Sequence, residues 1–460
     1  MRPGWTFAAL VSAMLVSGCR RELPAEHPPQ PLDGVRCVDG ETVFEDAAPD
    51  VMPRHRTASF WTTRAGDLAD VPIMESASIE DMNRRYAANP ELLRDPLGEA
   101  ARDREAIARR WSERLTWFQE RLETGSYVEP SPGALASARA TMAAAIPDEA
   151  LHLIAAESAL WCVPTDAGIL SQARDPAFDR NRCSGLHPGE LVLATHRSED
   201  GAWVHVEAGH ADGWLRDPTW SAPLSRAEAR AYTRDRPRVR VTDDLSTDDA
   251  SFRLRMGTSF PLASVDSDAR SGAPTPALLP RSNAAPVPLD SWDGLDGVAL
   301  DPLPFTRRQV YELAFARLGE PYGWGGYREN RDCSRLMLDL LGTFGIQMTR
   351  NSALQATMGA RRVSLEGMSD GDKLETLSRL EREGLVLAYM PGHIMLYLGE
   401  DGGSHYALSS LSEYLRPCPQ GGQETVRLDR VEVTTLELGR GTPRTSFVER
   451  LSTAVVFGPA

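Results

Sequence analysis

The sequence predicts a multi-domain α+β chain in which small β-modules carry helical additions, and three observations support that reading. At 460 residues the chain exceeds what a single hydrophobic core holds, so several modules follow one another. Its 33 prolines and 37 glycines suit many short strands and turns better than a helical bundle. Its periodicity also changes along the chain, from helical spacing near the start to short apolar alternations further on. A hydrophobic share of 42% with 25% charged residues is ordinary globular composition, which excludes a wholly disordered chain and a polytopic membrane protein. With 50 Lys and Arg against 65 Asp and Glu the net charge is -15, which argues against nucleic acid as a partner.

Arg2 opens the N-terminus, and the apolar run from Trp5 to Val16 is too short for the roughly 20 residues that span a bilayer. Val16-Ser17-Gly18 then places small residues before Cys19, a pattern that resembles a bacterial lipoprotein signal. That resemblance implies cleavage before Cys19 and acylation of its thiol. The mature protein is then expected in the bacterial cell envelope, lipid-anchored and facing the periplasm. Arg20 and Arg21 in place of an aspartate favour the outer membrane. Residues 1–19 are thus read as signal and 20–58, with Pro24, Pro28, Pro29 and Pro31, as a tether. No Cys-x-x-Cys pair occurs among the six cysteines, so neither a structural zinc site nor any other metal is expected. In an oxidising envelope Cys162 and Cys183 are a candidate disulfide; Cys37 and Cys418 are either a second pair or buried thiols.

Residues 59–149 read as helical, with Ile107, Trp111, Leu115, Phe118 and Leu122 on one face, which is core rather than a cofactor site. Between 150 and 222 short alternations such as Trp203-Val204-His205-Val206 are separated by Gly and Asp turns. The stretch from Ser198 to Trp203, followed by Gly213-Trp214-Leu215, resembles bacterial SH3-like cell-wall modules. Residues 236–300 are read as a second, divergent barrel. The segment Ser225 to Asp235 is expected as a polar connector, and Ala273 to Pro288 as an exposed barrel loop.

The last module, 301–460, carries the chemistry. Thr306 caps a helix that Gly319-Glu320-Pro321 stops, and the loop Tyr322-Gly323-Trp324-Gly325-Gly326 follows. Its glycines allow close approach by a ligand, but no Gly-Lys-Ser/Thr is present, so it is not a phosphate loop. Asp332-Cys333-Ser334 then opens an amphipathic helix with Leu336, Leu340, Leu341 and Phe344. The positive end of a helix favours a thiolate, which makes Cys333 a candidate nucleophile. His393, at the start of the strand His393-Ile394-Met395-Leu396-Tyr397-Leu398, is its candidate base. His405 is the candidate third member that orients the imidazole, although hairpin counting through Asp401 sets it opposite Tyr397. Asp370-Gly371-Asp372 is read as a solvated turn rather than a calcium loop, since Leu374 stands at the next ligand position.

Pro321 to Gly326, Arg331-Asp332-Cys333-Ser334 and Pro391-Gly392-His393 through Gly399 resemble, in order and spacing, the NlpC family of bacterial cell-wall cysteine peptidases. With the preceding helical segment and paired barrels, the chain resembles the γ-D-glutamyl-diamino-acid endopeptidases among them. The resemblance implies a papain-like fold, no cofactor, and peptidoglycan stem peptides or muropeptides as substrate. It implies Cys333 as nucleophile, His393 as base and acid, His405 as orienter, and Tyr322, Trp324, Asp332, Ser334 and Ser352 as substrate contacts. Asp332 beside a reactive thiol raises the cost of a thiolate, which suggests that the carboxylate has another role. Binding a cation is the expected role, and the resemblance implies which one, the free ammonium of an N-terminal L-alanine, with helix capping as the alternative. The chain departs from the family in Arg335, where many members have glycine, in the missing Gly-Asp-Leu before the catalytic strand, and in a charged insertion at 361–383. Two other functions use the same residues or none of them: a thiol acyltransferase on the same fold, and a catalytically idle wall-binding lipoprotein.

Overall fold

The computed structural model describes residues 37–99, 102–171, 174–246, 253–263, 277–289, 296–300 and 302–459; the signal segment and Cys19 lie outside them. Its C-terminal unit is built on a seven-stranded sheet. The strand order is Thr42–Phe44, Gln423–Thr435, Ser404–Pro417, His393–Asp401, Leu385–Met390, Thr453–Phe457 and Arg361–Ser364. All pairings are antiparallel except that of Thr42–Phe44 with Gln423–Thr435. The helices Cys333–Gly342 and Asp370–Glu383 both pack on the central strand His393–Asp401. Ile394 through Leu398 are accordingly all buried, which explains an unbroken apolar run where a half-exposed strand would alternate.

The stretch read as a tether is, from Cys37 onward, part of this unit. Its strand Thr42–Phe44 covers the sheet edge, a disulfide joins Cys37 to Cys418, and His55 lies 3.0 Å from Asp401. An uncovered edge would leave a row of backbone donors and acceptors unpaired, and this strand satisfies them. Trp61, Ile73, Met82 and Tyr86 enter the same core as Leu336 and Leu340.

The helices Arg104–Glu123 and Ala134–Ala144 turn the other way. Ile107, Trp111, Leu115 and Phe118 form the expected face and pack with Val163, Trp203 and Trp214. Strands from Ile146 to Arg216 form a second seven-stranded sheet, closed around Ile154, Leu160, Val192, Val204 and Val206. Its disulfide joins Cys162 and Cys183 with Cα atoms 5.1 Å apart.

Ser225 to Asp235 is a helix, Arg226–Thr233, and not a connector: Ser225 and Glu228 form a reciprocal capping box. Beyond it Ser259–Pro261, Arg238–Val241 and Val298–Leu300 form a three-stranded sheet around Val239, Val241 and Phe260. Most of the expected loop at 273–288 is instead the hairpin of Ala277–Arg281 with Ala284–Leu289. A two-stranded ribbon tolerates Pro280, Pro286 and Pro288 because the missing donors fall on open edges.

The modules lock together at the helix Cys333–Gly342. Gly326 has φ of 81°, and a Cβ there would come within 2.9 Å of the Gly185 nitrogen, so the loop glycines admit a barrel strand, Arg182–Leu186, rather than a ligand. Arg335, the departure from the family, is buried at this junction. It donates to the Gly185 carbonyl at 2.8 Å and to Asp339 at 2.7 Å. Arg331 also binds Asp339, at 2.6 Å, and reaches Asp244 of the three-stranded module at 2.6 Å.

Candidate active site

Asp332 is the N-cap of the helix Cys333–Gly342, which makes Cys333 its first residue. Cys333 is buried and is the free cysteine among the described residues. It lines two cavities at once, of 310 Å³ and 560 Å³, and Tyr322, Trp324 and Gly392 line both with it. The smaller also contains His393; the larger contains Asp332, Ser334 and Ser352. The nucleophile and base proposed from sequence therefore meet at one cavity wall, and the expected substrate contacts surround them.

The electrostatics differ from expectation. Burial, and then the Asp332 charge, push the Cys333 thiol up to about 12, overriding the helix end that was expected to lower it. Burial, and then the positive Arg450, bring His393 down to about 4. The resting pair is thus neutral thiol and neutral imidazole. The base form of His393 is full at neutral pH and is lost as pH falls through about 4. We expect kcat/KM to be level from about pH 6 to 8 with an acid limb near pH 4, measured on free enzyme at low substrate. A limb near the ordinary histidine value would show that His393 is not the titrating base.

His405 does not reach His393. The hairpin sets Asp401 opposite Ser404 and Glu400 opposite His405, with an irregularity between Tyr397 and Gly399. Glu400 lies seven positions beyond His393, roughly 23 Å along an extended strand. His405 instead bonds the Tyr397 hydroxyl through Nδ1 at 2.7 Å. Ser409 stands in the orienting place: its Oγ is 3.0 Å from His393 Nε2. Sequence reasoning looks for an ionisable third member and so passes over a serine in an apolar-looking strand. Ser409→Ala is expected to lower kcat about tenfold with KM little changed, whereas His405→Ala leaves both near wild type. Steady-state kinetics of the two variants decide between them.

Asp332 is not a free carboxylate. Its Oδ1 accepts from Arg335 N at 2.9 Å and from Ser334 Oγ at 3.1 Å; its Oδ2 accepts from Gly325 N at 3.1 Å and from Arg350 at 2.5 Å. Burial would raise its pKa, but Arg350 outweighs it and holds the carboxyl below the usual value. Asp332 thus acts as helix cap, the alternative read from sequence, and as anchor for Arg350. Arg350 also binds Ser334 at 2.7 Å and reaches barrel Ser184 at 3.1 Å. Ser352 is the first residue of the short helix Ser352–Gln355, capped by Asn351. Arg182, Cys183, His210, Ala211 and Asp212 line the larger cavity from the barrel, supplying the roof that sequence could not number. Asp370 and Asp372 open a helix capped by Ser369, not a turn.

Residues 319–412 match the model of the NlpC/P60 family, and residues 170–216 match that of an SH3 domain of the SH3b1 type. The chain carries an NlpC/P60 domain and an SH3b domain on a mixed α and β scaffold. No curated protein matches it. Among solved structures, an NlpC/P60 endopeptidase from Photobacterium damselae subsp. piscicida is similar over 92% of this chain and all of its own, at 16% identity and a TM-score of 0.70. An NlpC/P60 family protein from Bacillus cereus ATCC 10987 aligns over 67% of this chain and all of its own, at 18% identity and a TM-score of 0.43. The family match and the Photobacterium structure together give the fold as that of NlpC/P60 proteins.

Proposed function

We propose that this protein is a cysteine peptidase that hydrolyses the bond between the γ-carboxyl of D-glutamate and a diamino acid in peptidoglycan stem peptides. The observation that carries the reading is Cys333 at a helix start sharing one cavity wall with His393, inside a domain of NlpC/P60 fold. His393 takes the thiol proton as sulfur attacks the γ-carbonyl. The Cys333 N–H, at the first turn and without a partner inside the helix, would stabilise the developing oxyanion. Collapse breaks the C–N bond, and the leaving amine takes the proton from His393. Water, deprotonated by the same imidazole, then cleaves the thioester and restores the thiol.

The preference for a free N-terminal L-alanine belongs to the larger cavity. Asp332 and Asp212 there are held by arginines, and Glu91 is its acid with no ion pair among the described residues. Glu91, rather than Asp332, is the residue we assign to the ammonium. Acylation of Cys19 would hold the protein to the envelope membrane, within reach of soluble muropeptides. Incubation with L-Ala-γ-D-Glu-diamino-acid tripeptide followed by mass analysis tests the reading. Release of the free diamino acid and the dipeptide supports it; an intact tripeptide, or a transferred acyl group, overturns it.

A further inference from the structure

The smaller cavity is positively charged in a way that the catalytic pair does not require. Arg180, Arg427, Arg444 and Arg450 line it beside Cys333 and His393, and its acids are Asp175 and Glu413. The two acids are taken: Asp175 lies 3.1 Å from Arg427, and Glu413 lies 3.4 Å from Arg444. Arg180 and Arg450 have no carboxylate partner among the described residues. Arg180 is held by aromatic faces, with its guanidinium 4.2 Å from the Trp324 ring centre and 5.7 Å from that of Phe178. Arg450 lies over Phe447 at 5.2 Å, and a backbone carbonyl, that of Ser446, is its hydrogen-bond partner at 3.4 Å. Two guanidiniums in excess of acid, each lying over an aromatic ring, form a floor suited to two carboxylates.

This floor lies on the His393 side of the nucleophile, opposite the cavity that holds Glu91 and Ser352. Resting on the function proposed above, we infer that Arg180 and Arg450 select a leaving fragment that carries two carboxylates, a diamino dicarboxylic acid, over one that carries a single carboxylate, such as lysine. Arg180 belongs to the SH3-matched segment and Arg450 lies beyond the residues matched by the NlpC/P60 family, so the selection arises where this chain's barrel meets its C-terminal segment. A second consequence follows from position. Arg450 is one of the charges that hold His393 neutral, after burial itself. A substrate carboxylate on Arg450 cancels that charge as the substrate docks, so the imidazole becomes a better proton acceptor when there is something to cleave.

Two tripeptides test this, L-Ala-γ-D-Glu-diaminopimelate and L-Ala-γ-D-Glu-L-lysine, each measured for turnover by the full chain and for affinity by calorimetry on Cys333→Ser. The expected result is a preference of about tenfold to a hundredfold for the first peptide in both kcat/KM and affinity. Arg450→Gln is expected to reduce that preference to within about threefold in both kcat/KM and affinity, mostly through the diaminopimelate peptide. Arg180→Gln gives the same collapse, and thermal unfolding of each variant checks that it is folded. Equal affinity for the two peptides, or a preference untouched by both substitutions, overturns the inference and leaves the peptidase reading standing. A preference in affinity with no turnover of either peptide supports the carboxylate floor and overturns the peptidase reading.

Discussion

Cys333→Ala is expected to abolish hydrolysis of the tripeptide, by a factor of at least about ten thousand in kcat. The thiol is the group that bonds to the γ-carbonyl, and Ser409, the hydroxyl bonded to His393, is fully buried and does not line that cavity. Losing one sulfur from a buried first-turn position leaves the capping of the helix intact, because Asp332 bonds the Arg335 and Gly325 amides and not the thiol. The melting temperature should therefore move by only a few degrees. His393→Ala should cost a comparable factor, since a thiol held up at about 12 is inert at neutral pH without its base. Retained turnover in Cys333→Ala would remove the nucleophile from the mechanism; loss of turnover with loss of folding is separated from it by circular dichroism on the same preparation.

The largest expected effect on stability comes from Asp339→Ala. Asp339 is 2% exposed and receives Arg331 at 2.6 Å and Arg335 at 2.7 Å. Burial would raise its carboxyl, but Arg335 and Arg331 hold it well below the usual range. Removing it leaves two buried guanidiniums short of a counter-charge, a loss of about 3–5 kcal/mol. The same residues fasten the nucleophile helix to the barrel through Gly185 and to the three-stranded module through Asp244. We expect denaturant unfolding to show both a lower midpoint and an earlier release of the barrel, followed by Trp fluorescence. A loss below about 1 kcal/mol would mean that water or Glu320, 3.0 Å from Arg331, replaces the missing carboxylate.

Local patterns are legible in the sequence because they are set by near neighbours along the chain. The Asp332 cap, the helix that it starts, the face Ile107, Trp111, Leu115, Phe118 and the turn after Asp401 all follow from three to four residues of spacing. Cys333 and His393 are legible as candidates for a different reason: their flanking glycines and aromatic residues stand in an order shared with a known family. Where a short-range signal competes with composition, composition misleads. The Ser225 capping box reads as polar connector, and the prolines of Ala277–Leu289 as loop, because a ribbon with open edges hides the cost that proline has elsewhere.

Residue order alone therefore establishes the chemistry on offer: which helix presents a thiol, which strand presents an imidazole, and which loop lies between them. How that chemistry is tuned is settled in the folded chain. Strand register is a long-range property: the turn that sets Asp401 opposite Ser404 leaves His405 opposite Glu400, far along the strand from His393, and Ser409 lies against the imidazole instead. Charge balance is likewise set by residues distant in sequence. Asp332 is paired with Arg350, Arg335 is committed to the barrel, and Arg450, far along the chain from His393, adds to burial in holding that imidazole neutral. Coulomb energies depend on separation and burial in space, and neither can be counted along a chain before it folds.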